Sequence, residues 1–469
     1  MAGNAPVILW FRRDLRLGDH AALLAAAKSA SRVLALYVLD DALLKPSGAP
    51  RVAFLHGCLR ALDEQLSGRL LVVRGDPVRV LPEIAAAIGA RGVHVHADTA
   101  PYGRKRDRAV AAELERHGVD WVETGSSYAI TPGRITKPAR RPPPPSTERS
   151  APTLIQGEPY RVFTPFFRAW LRHGWPSPAA TSASTVDWIT PDGLPGVDLP
   201  ADPDLGSMRL PEPGERAALA TWERFREEGL AGYDTQRDRP DVEGSSRMSP
   251  YLRWGCVHPR TLLAELADED EAFRAELAWR EFHADVLWHR PETARRNYNS
   301  RFDGMKYETG AAARSAFEAW CEGRTGYPVV DAGMRQLLAE GWMHNRVRMI
   351  VASFLVKDLH LPWWWGARHF MRHLVDGDLA SNQLNWQWVA GSGTDAAPYF
   401  RIFNPTTQGE KFDPGGDYVR RYVPELAGLS GKTVHQPWKA GPPDGYPAPV
   451  VEHAHERRVA LERYGDLSP

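Results

Sequence analysis

The chain has 469 residues, an ordinary globular composition of 43% hydrophobic and 25% charged residues, and 58 basic against 58 acidic side chains. That length predicts two or more domains, and the zero net charge means that a polyanion must be met by a local basic patch. Three scattered cysteines, Cys58, Cys256 and Cys321, with no CxxC or HExxH spacing, argue against a disulfide framework or a zinc site. The N-terminus is not a signal peptide and no apolar run is long enough to span a membrane, so the expectation is a cytoplasmic protein without bound metal.

The N-terminal region alternates between two periods. Apolar strands are predicted at 7–11 (VILWF), 33–39 (VLALYVL), 70–75 (LLVVRG), 93–98 (VHVHAD) and 121–124 (WVET), with helical patterns at 51–66 and 103–118 between them. Such alternation predicts a doubly wound parallel sheet, which binds ligands at the carboxyl ends of its strands. No GxGxxG follows the first strand, so a dinucleotide fingerprint is missing. Residues 131–211 turn rich in Pro, Ser, Thr and Ala (RRPPPPSTERSAP, 140–152) and read as a connecting segment with one helix at 164–173. From 212 onward the periodicity is helical, with patterns at 215–233, 260–288 and 334–359.

Within that helical region the stretch DGDLASNQLNWQW (376–388) places Asp378, Asn382 and Trp386 four residues apart on one helix face, while Trp388 points nearly the opposite way. Asp at a helix start is commonly a cap and Trp commonly core. A carboxylate, an amide and an indole in line make a poor core stripe, however, and suit a flat ligand with polar edges. In AELAWREFH (275–283), Glu276, Trp279, Arg280 and His283 share a face. They suit either a surface ion pair beside a half-buried Trp or a stacking site with an acid at its edge. GWMHNRVRMIVASFL (341–355) sets Asn345, Arg348, Met349 and Ala352 opposite an apolar stripe, a pairing of amide and soft thioether able to grip a heterocycle. EGSSRMSPYL (243–252) is a hydroxyl-rich turn opening a helix, a weak anion-site signal without a phosphate-loop lysine. The loop 395–414 shows no periodicity. Seventeen tryptophans, many after residue 250, exceed what packing needs and point to redox chemistry, base stacking or cofactor burial.

These pieces, in this order, resemble the photolyase/cryptochrome family, most closely class I cyclobutane pyrimidine dimer photolyases. The resemblance runs over nearly the whole chain: WFRRDLRLGDH (10–20), YDTQRDRPDVEGSSRMSPYLRWG (233–255), WREF (279–282), TGYPVVDAGMRQL (325–337), GWMHNRVRMI (341–350), DGDLASNQLNWQW and GTDAAPYFRIFNPTTQGEKFDP (393–414). It implies an α/β antenna domain at 1–130 with a Rossmann-like parallel sheet, a linker at 131–211 and an all-α FAD-binding catalytic domain at 212–469. Tyr233 and the turn Ser245, Ser246, Arg247, Met248 and Ser249 would hold phosphates and ribityl oxygens. Asp376, Gly377 and Asp378 would line the flavin, Arg348 would pair with Asp376, and Asn382 would face the flavin N5.

The lesion pocket implied by the resemblance comprises Glu276, Trp279, Asn345, Met349 and Trp388. Arg237, Arg346 and Arg401, with Arg280, are the DNA-contacting arginines, which position rather than specify. Enzymes of this kind turn the damaged dinucleotide out of the duplex. Excited, reduced FAD gives it an electron, the cyclobutane ring splits and the electron returns, with Glu276 steadying the charge that develops. Asn345, where (6-4) photolyases typically carry histidine, favours cyclobutane dimers. Asn382 favours repair over signalling, leaving a cryptochrome-like blue-light photoreceptor as the alternative and a dark flavin redox enzyme as a third reading. The electron-transfer tryptophans map to Trp386 and Trp363. The third position holds Gly310, with Tyr307 the nearest substitute and Trp364 and Trp365 as an alternative branch. PYGRKRD (101–107) lacks the Asn–Glu pair of methenyltetrahydrofolate-binding members, so the antenna is expected to be of the 8-hydroxy-5-deazaflavin type, with methenyltetrahydrofolate or no antenna as alternatives and Arg51 as a candidate contact. The expected partner is DNA carrying a cyclobutane dimer, bound by a monomer.

Overall fold

The structure, a computed structural model, describes residues 5–137, 157–395, 400–439, 441 and 443–467. Five parallel strands, β1 (Val7–Phe11), β2 (Arg32–Leu39), β3 (Leu70–Arg74), β4 (Gly92–Ala97) and β5 (Asp120–Ser126), lie in the order β3-β2-β1-β4-β5. Every side chain of β1 is buried, as its unbroken apolar run requires when helices cover both faces. The order reverses between β1 and β4, which opens a crevice at their carboxyl ends. A sixth strand, β6 (Asp187–Trp188), pairs with the start of β2 and was not legible at two residues long. Two helices also escaped the sequence reading. Ala21–Ser29 is nearly all alanine and leucine and has little periodicity, and Pro77–Ile88 carries Pro82 inside it.

The turn after β1 is held by a buried carboxylate. Asp14 Oδ2 lies 3.3 Å from His20 Nε2 and 3.2 Å from His96 Nδ1. The three groups are close enough to hold a metal ion. Their proton inventory favours a clamp instead. His20 Nδ1 accepts the Leu23 N–H at 3.1 Å and His96 Nε2 accepts the Ala22 N–H at 3.4 Å, so the second nitrogen of each ring faces Asp14. Burial would raise the Asp14 carboxyl pKa, but hydrogen bonds from the two rings hold it well below its usual range.

The connecting segment is more than a tether. Its Pro-rich run 140–152 lies outside the described residues. The helix Phe163–His173, however, buries Phe163, Phe166, Phe167 and Trp170 in one apolar core with β1, β2 and the helix Glu271–His289. Glu281 of that last helix is buried and accepts the backbone N–H groups of Ala129 at 2.5 Å and Ile130 at 3.1 Å and the Trp170 indole N–H at 2.7 Å. One carboxylate thereby satisfies three donors and locks the segment down.

Two of the long helical patterns are each divided. The pattern 260–288 becomes Pro259–Leu263 and Glu271–His289, and 334–359 becomes Pro328–Glu340 and Asn345–Lys357. The second break falls at Gly341, left-handed at φ 61°, whose N–H closes on the Leu337 carbonyl at 3.0 Å. Periodicity bridges such a break because a short turn keeps both apolar stripes on one side. The aperiodic loop 395–414 in turn contains the helix Pro405–Phe412, started by Asn404, which accepts the Thr407 N–H at 3.1 Å.

The sheet and the helical region meet where Gly255, at φ 68°, lies against the turn after β1. A Cβ there would stand 2.0 Å from the Arg13 carbonyl oxygen. Gly255→Ala is expected to lower stability by about 2–4 kcal/mol, from left-handed strain plus overpacking. Urea denaturation measures this.

Candidate functional site

One cleft in the helical region has a cavity volume of about 410 Å³ and opens to solvent, within the ~300–1,000 Å³ of small-molecule and cofactor sites. Its walls include Tyr233 and Arg237, the turn Ser245–Ser249 with Arg253 beyond it, the helix Glu271–His289, the helix Asn345–Lys357, and the turn Asp376–Asp378 with the helix Leu379–Ala390 that follows.

The Asp-Gly-Asp turn is pinned from both ends. Asp378 caps its helix through the Ser381 N–H at 3.0 Å and also accepts Arg13 Nη2 at 2.6 Å. It is therefore both the cap its position suggests and a wall of the cleft. Burial alone would raise its carboxyl pKa, but Arg13, Arg253 and Arg280 together hold it far below the carboxylate range. Arg348 pairs with Asp376 at 2.8 and 3.3 Å, and its Nε donates to the Met343 carbonyl at 2.8 Å. Arg253 Nε donates to the Gly377 carbonyl at 2.9 Å, while its buried Nη1 has no partner. Burial, and then the repulsion of Arg13, bring the Arg253 guanidinium down to about 9.

This arrangement fits an anionic dinucleotide such as FAD. An unpartnered buried guanidinium N–H lies at the cleft wall, next to a backbone turn with its own donors. Arg247 holds that turn in the left-handed region at φ 52°, an unusual conformation for a residue with a side chain and one that concentrates at ligand clamps. Its guanidinium is engaged elsewhere, 3.0 Å from Glu340 and 4.4 Å over the Trp342 ring. Met248 is buried at 1% exposure. Ser245, Ser246 and Ser249 all line the cleft, and Ser249 Oγ also accepts the Trp342 indole N–H at 3.2 Å. Asn382 donates both amide hydrogens, to the Ala367 carbonyl at 3.0 Å and Gln383 Oε1 at 2.9 Å, which leaves its Oδ1 as an acceptor for a ligand N–H.

Glu276, Trp279, Asn345 and Met349 line the same cleft. Glu276 is ion-paired with Arg237. Burial raises its carboxyl pKa and Arg237 draws it back only in part. Trp388 lines the cleft as well, its indole N–H donating to the Asp395 carbonyl at 3.1 Å. Helical periodicity turned it away from Asn382 and Trp386, but the cleft curves round the last turn of the helix and reaches it.

Several expected DNA contacts lie elsewhere or are already occupied. Arg280 lines the cleft, and its guanidinium donates to the Ser127 carbonyl at 2.9 Å and the Leu252 carbonyl at 3.0 Å and packs 4.4 Å over Tyr128. Arg346 lies outside the cleft lining, 2.6 Å from Asp238 and over the Phe412 ring. Arg401 also lies outside that lining, and its carbonyl accepts from Lys357 Nζ. Arg51 is buried against Gly377, where a Cβ would stand 3.3 Å from its Cδ. Burial without a neighbouring carboxylate brings its guanidinium down to about 10, and its Nε has no partner.

The aromatic relay is only partly continuous. Trp386 touches Phe370 at 5.0 Å and Trp320 at 6.1 Å between ring centroids. Trp363 meets Trp364 at 5.9 Å, and Trp364 meets Tyr307 at 5.3 Å. Among the described residues no ring contact joins Trp386 to Trp363. Sequence reasoning missed Arg13 and Arg253, because nothing local marks an arginine whose partner lies hundreds of positions away.

Asp378→Asn is expected to cost about 3–5 kcal/mol, because it leaves Arg13 and Arg253 buried without their counter-charge. A fall of that size in denaturant stability, with reduced flavin retention on purification, is the expected outcome.

Comparison with known proteins agrees with this geometry. Residues 7–183 match the family model described as DNA photolyase, and residues 273–466 match the FAD binding domain of DNA photolyase. The deoxyribodipyrimidine photo-lyase of Synechococcus is 39% identical, with 99% of this chain and 97% of that protein aligned. The enzyme of the same name from Escherichia coli is also 39% identical, over 97% and 98%. Among solved structures, a bacterial class III photolyase from Agrobacterium tumefaciens is 38% identical with a TM-score of 0.86, over 100% of this chain and 98% of that one. A Synechocystis cryptochrome is 29% identical with a TM-score of 0.83, over 98% and 100%. No helix among the described residues is long and apolar enough to cross a membrane. With near-complete coverage by relatives that carry this enzyme name, the chain belongs to the DNA photolyase family of FAD-binding DNA-repair lyases.

Proposed function

We propose that this protein repairs cyclobutane pyrimidine dimers in DNA by light-driven electron transfer, as a class I photolyase. One observation carries the reading. Asn382, Asp376 and Arg348 on the cofactor side and Glu276, Trp279, Asn345, Met349 and Trp388 on the lesion side line a single cleft. A dimer entering that cleft would meet the cofactor with no wall between them. FAD, when bound, supplies the photoexcitable electron donor.

The residues do the rest. Trp279 and Trp388 offer flat faces that replace the stacking a dimer gives up on leaving the duplex. Asn345 and Met349 hold the pyrimidine edges by amide and thioether. Arg237 holds Glu276 until a phosphate competes for the guanidinium, and the carboxyl group is then available to the lesion's carbonyl oxygens. A phosphate must draw Arg346 from Asp238 in the same way. Asn382 Oδ1 suits the N–H that reduced flavin carries at N5. For the antenna we retain a deazaflavin-type chromophore in the N-terminal region, with the Arg51 guanidinium, whose Nε has no partner, as its contact, and for the assembly a cytoplasmic monomer. The likeness to the Synechocystis cryptochrome supports a photoreceptor as the second reading.

The test illuminates a dimer-containing oligonucleotide with chemically reduced protein. Loss of dimers in light and none in the dark is expected. Intact dimers after illumination, with flavin bound and reduced, would reject repair in favour of the photoreceptor. Trp386→Phe is expected to abolish photoreduction of oxidised flavin by at least about tenfold, which corresponds to 1.4 kcal/mol on the barrier, yet to keep repair when the flavin is reduced chemically. Absorption spectra under blue light report the first arm and dimer counts the second.

A further inference from the structure

The connecting segment reaches the lesion wall from behind. The Phe163 ring stacks on the Trp279 indole with centroids 3.7 Å apart and planes 8° from parallel, the shortest ring separation among the described residues. Phe163 is 8% exposed and outside the cleft lining, while Trp279 is part of that lining, so the phenyl ring covers the indole from the protein side. The stack continues to Phe167 at 5.6 Å and 12°, and from Phe167 to Trp170 at 6.1 Å and 24°. Phe282 meets Phe163 edge-on at 6.0 Å. Trp279 can therefore tilt only by displacing a buried column of rings.

The other tryptophan, Trp388, is held separately. Its indole N–H donates to the Asp395 carbonyl at 3.1 Å, and Asp395 sits in the left-handed region at φ 53°, a conformation that the surrounding contacts must hold in place.

We infer that Phe163 is a positioning residue for lesion recognition: its ring sets the plane of Trp279. The two indoles then form a preformed slot for a flat, unstacked pyrimidine pair, with little ordering left to complete on binding. The inference rests on the reading of Trp279 and Trp388 as lesion contacts.

The experiment uses full-length, FAD-loaded protein carrying Phe163→Leu, Phe163→Tyr or Trp279→Ala. Dissociation constants are measured for dimer-containing and undamaged duplexes of one sequence, with flavin content and thermal midpoint as checks of folding. Phe163→Leu keeps apolar volume but loses the flat ring, and should cut the preference for damaged DNA about three- to tenfold, the worth of an aromatic pair. Phe163→Tyr should restore it. A wild-type preference in Phe163→Leu overturns the inference. So does equal weakening on both duplexes, or a tyrosine variant as poor as the leucine one. Trp279→Ala separates the two levels. If it also keeps the preference, the lesion reading itself fails. If it loses the preference while Phe163→Leu keeps it, only the platform is removed.

Discussion

The contact on which the site depends is the partly buried pair between Arg13 and Asp378. Arg13 leaves the sheet at the end of β1, and Asp378 opens the helix that carries Asn382 and Trp386. The pair therefore ties the only sheet of the described residues to the floor of the cleft. Buried charges require counter-charges and hydrogen bonds, and here the requirement spreads. Asp378 must answer Arg13 and its own helix N-terminus, and Arg253 crowds in beside them with one nitrogen unpartnered. A cleft floor with surplus positive charge is poised for an anionic cofactor, and cofactor binding would then stabilise the fold by mass action.

The lesion side is organised differently. Its arginines are held by carboxylates in the absence of DNA, Arg237 by Glu276 and Arg346 by Asp238. Such pairs are half-exposed and individually weak. They keep like charges from repelling one another, and a phosphate can displace them at modest cost. The aromatic elements, in contrast, are fixed before any ligand arrives. Trp279 is seated on Phe163 and Trp388 on the Asp395 carbonyl. Flat recognition surfaces are thus rigid and charged ones adaptable, a division that suits a ligand with a defined shape inside a variable polyanion.

A structural clamp can resemble a catalytic cluster. Asp14, His20 and His96 have the spacing of metal ligands, and Glu281 is a buried acid with a raised carboxyl pKa of about 7. Each is explained by the donors around it: two imidazole rings in one case, two backbone amides and an indole in the other. Titratable groups inside this protein serve its joints as often as its chemistry.

Sequence by itself determined the strands of the sheet nearly to the residue, because apolar runs buried on both faces leave a continuous signal from β1 to β4. It also determined the helical character of the second half, and the residue types gathered in the cleft, through the spacing of Asp378, Asn382 and Trp386 and the likeness of the motifs to one family. Only the tertiary structure decided that Arg280 ties Ser127 to Leu252, that Trp388 shares the cleft with Trp386, and that Arg13, Arg253 and Phe163 belong to the site at all. The physical reason is range. Periodicity and capping act within a few residues, whereas the pairing of buried charges and the stacking of rings are settled across hundreds, where a sequence read locally carries no trace of the partner.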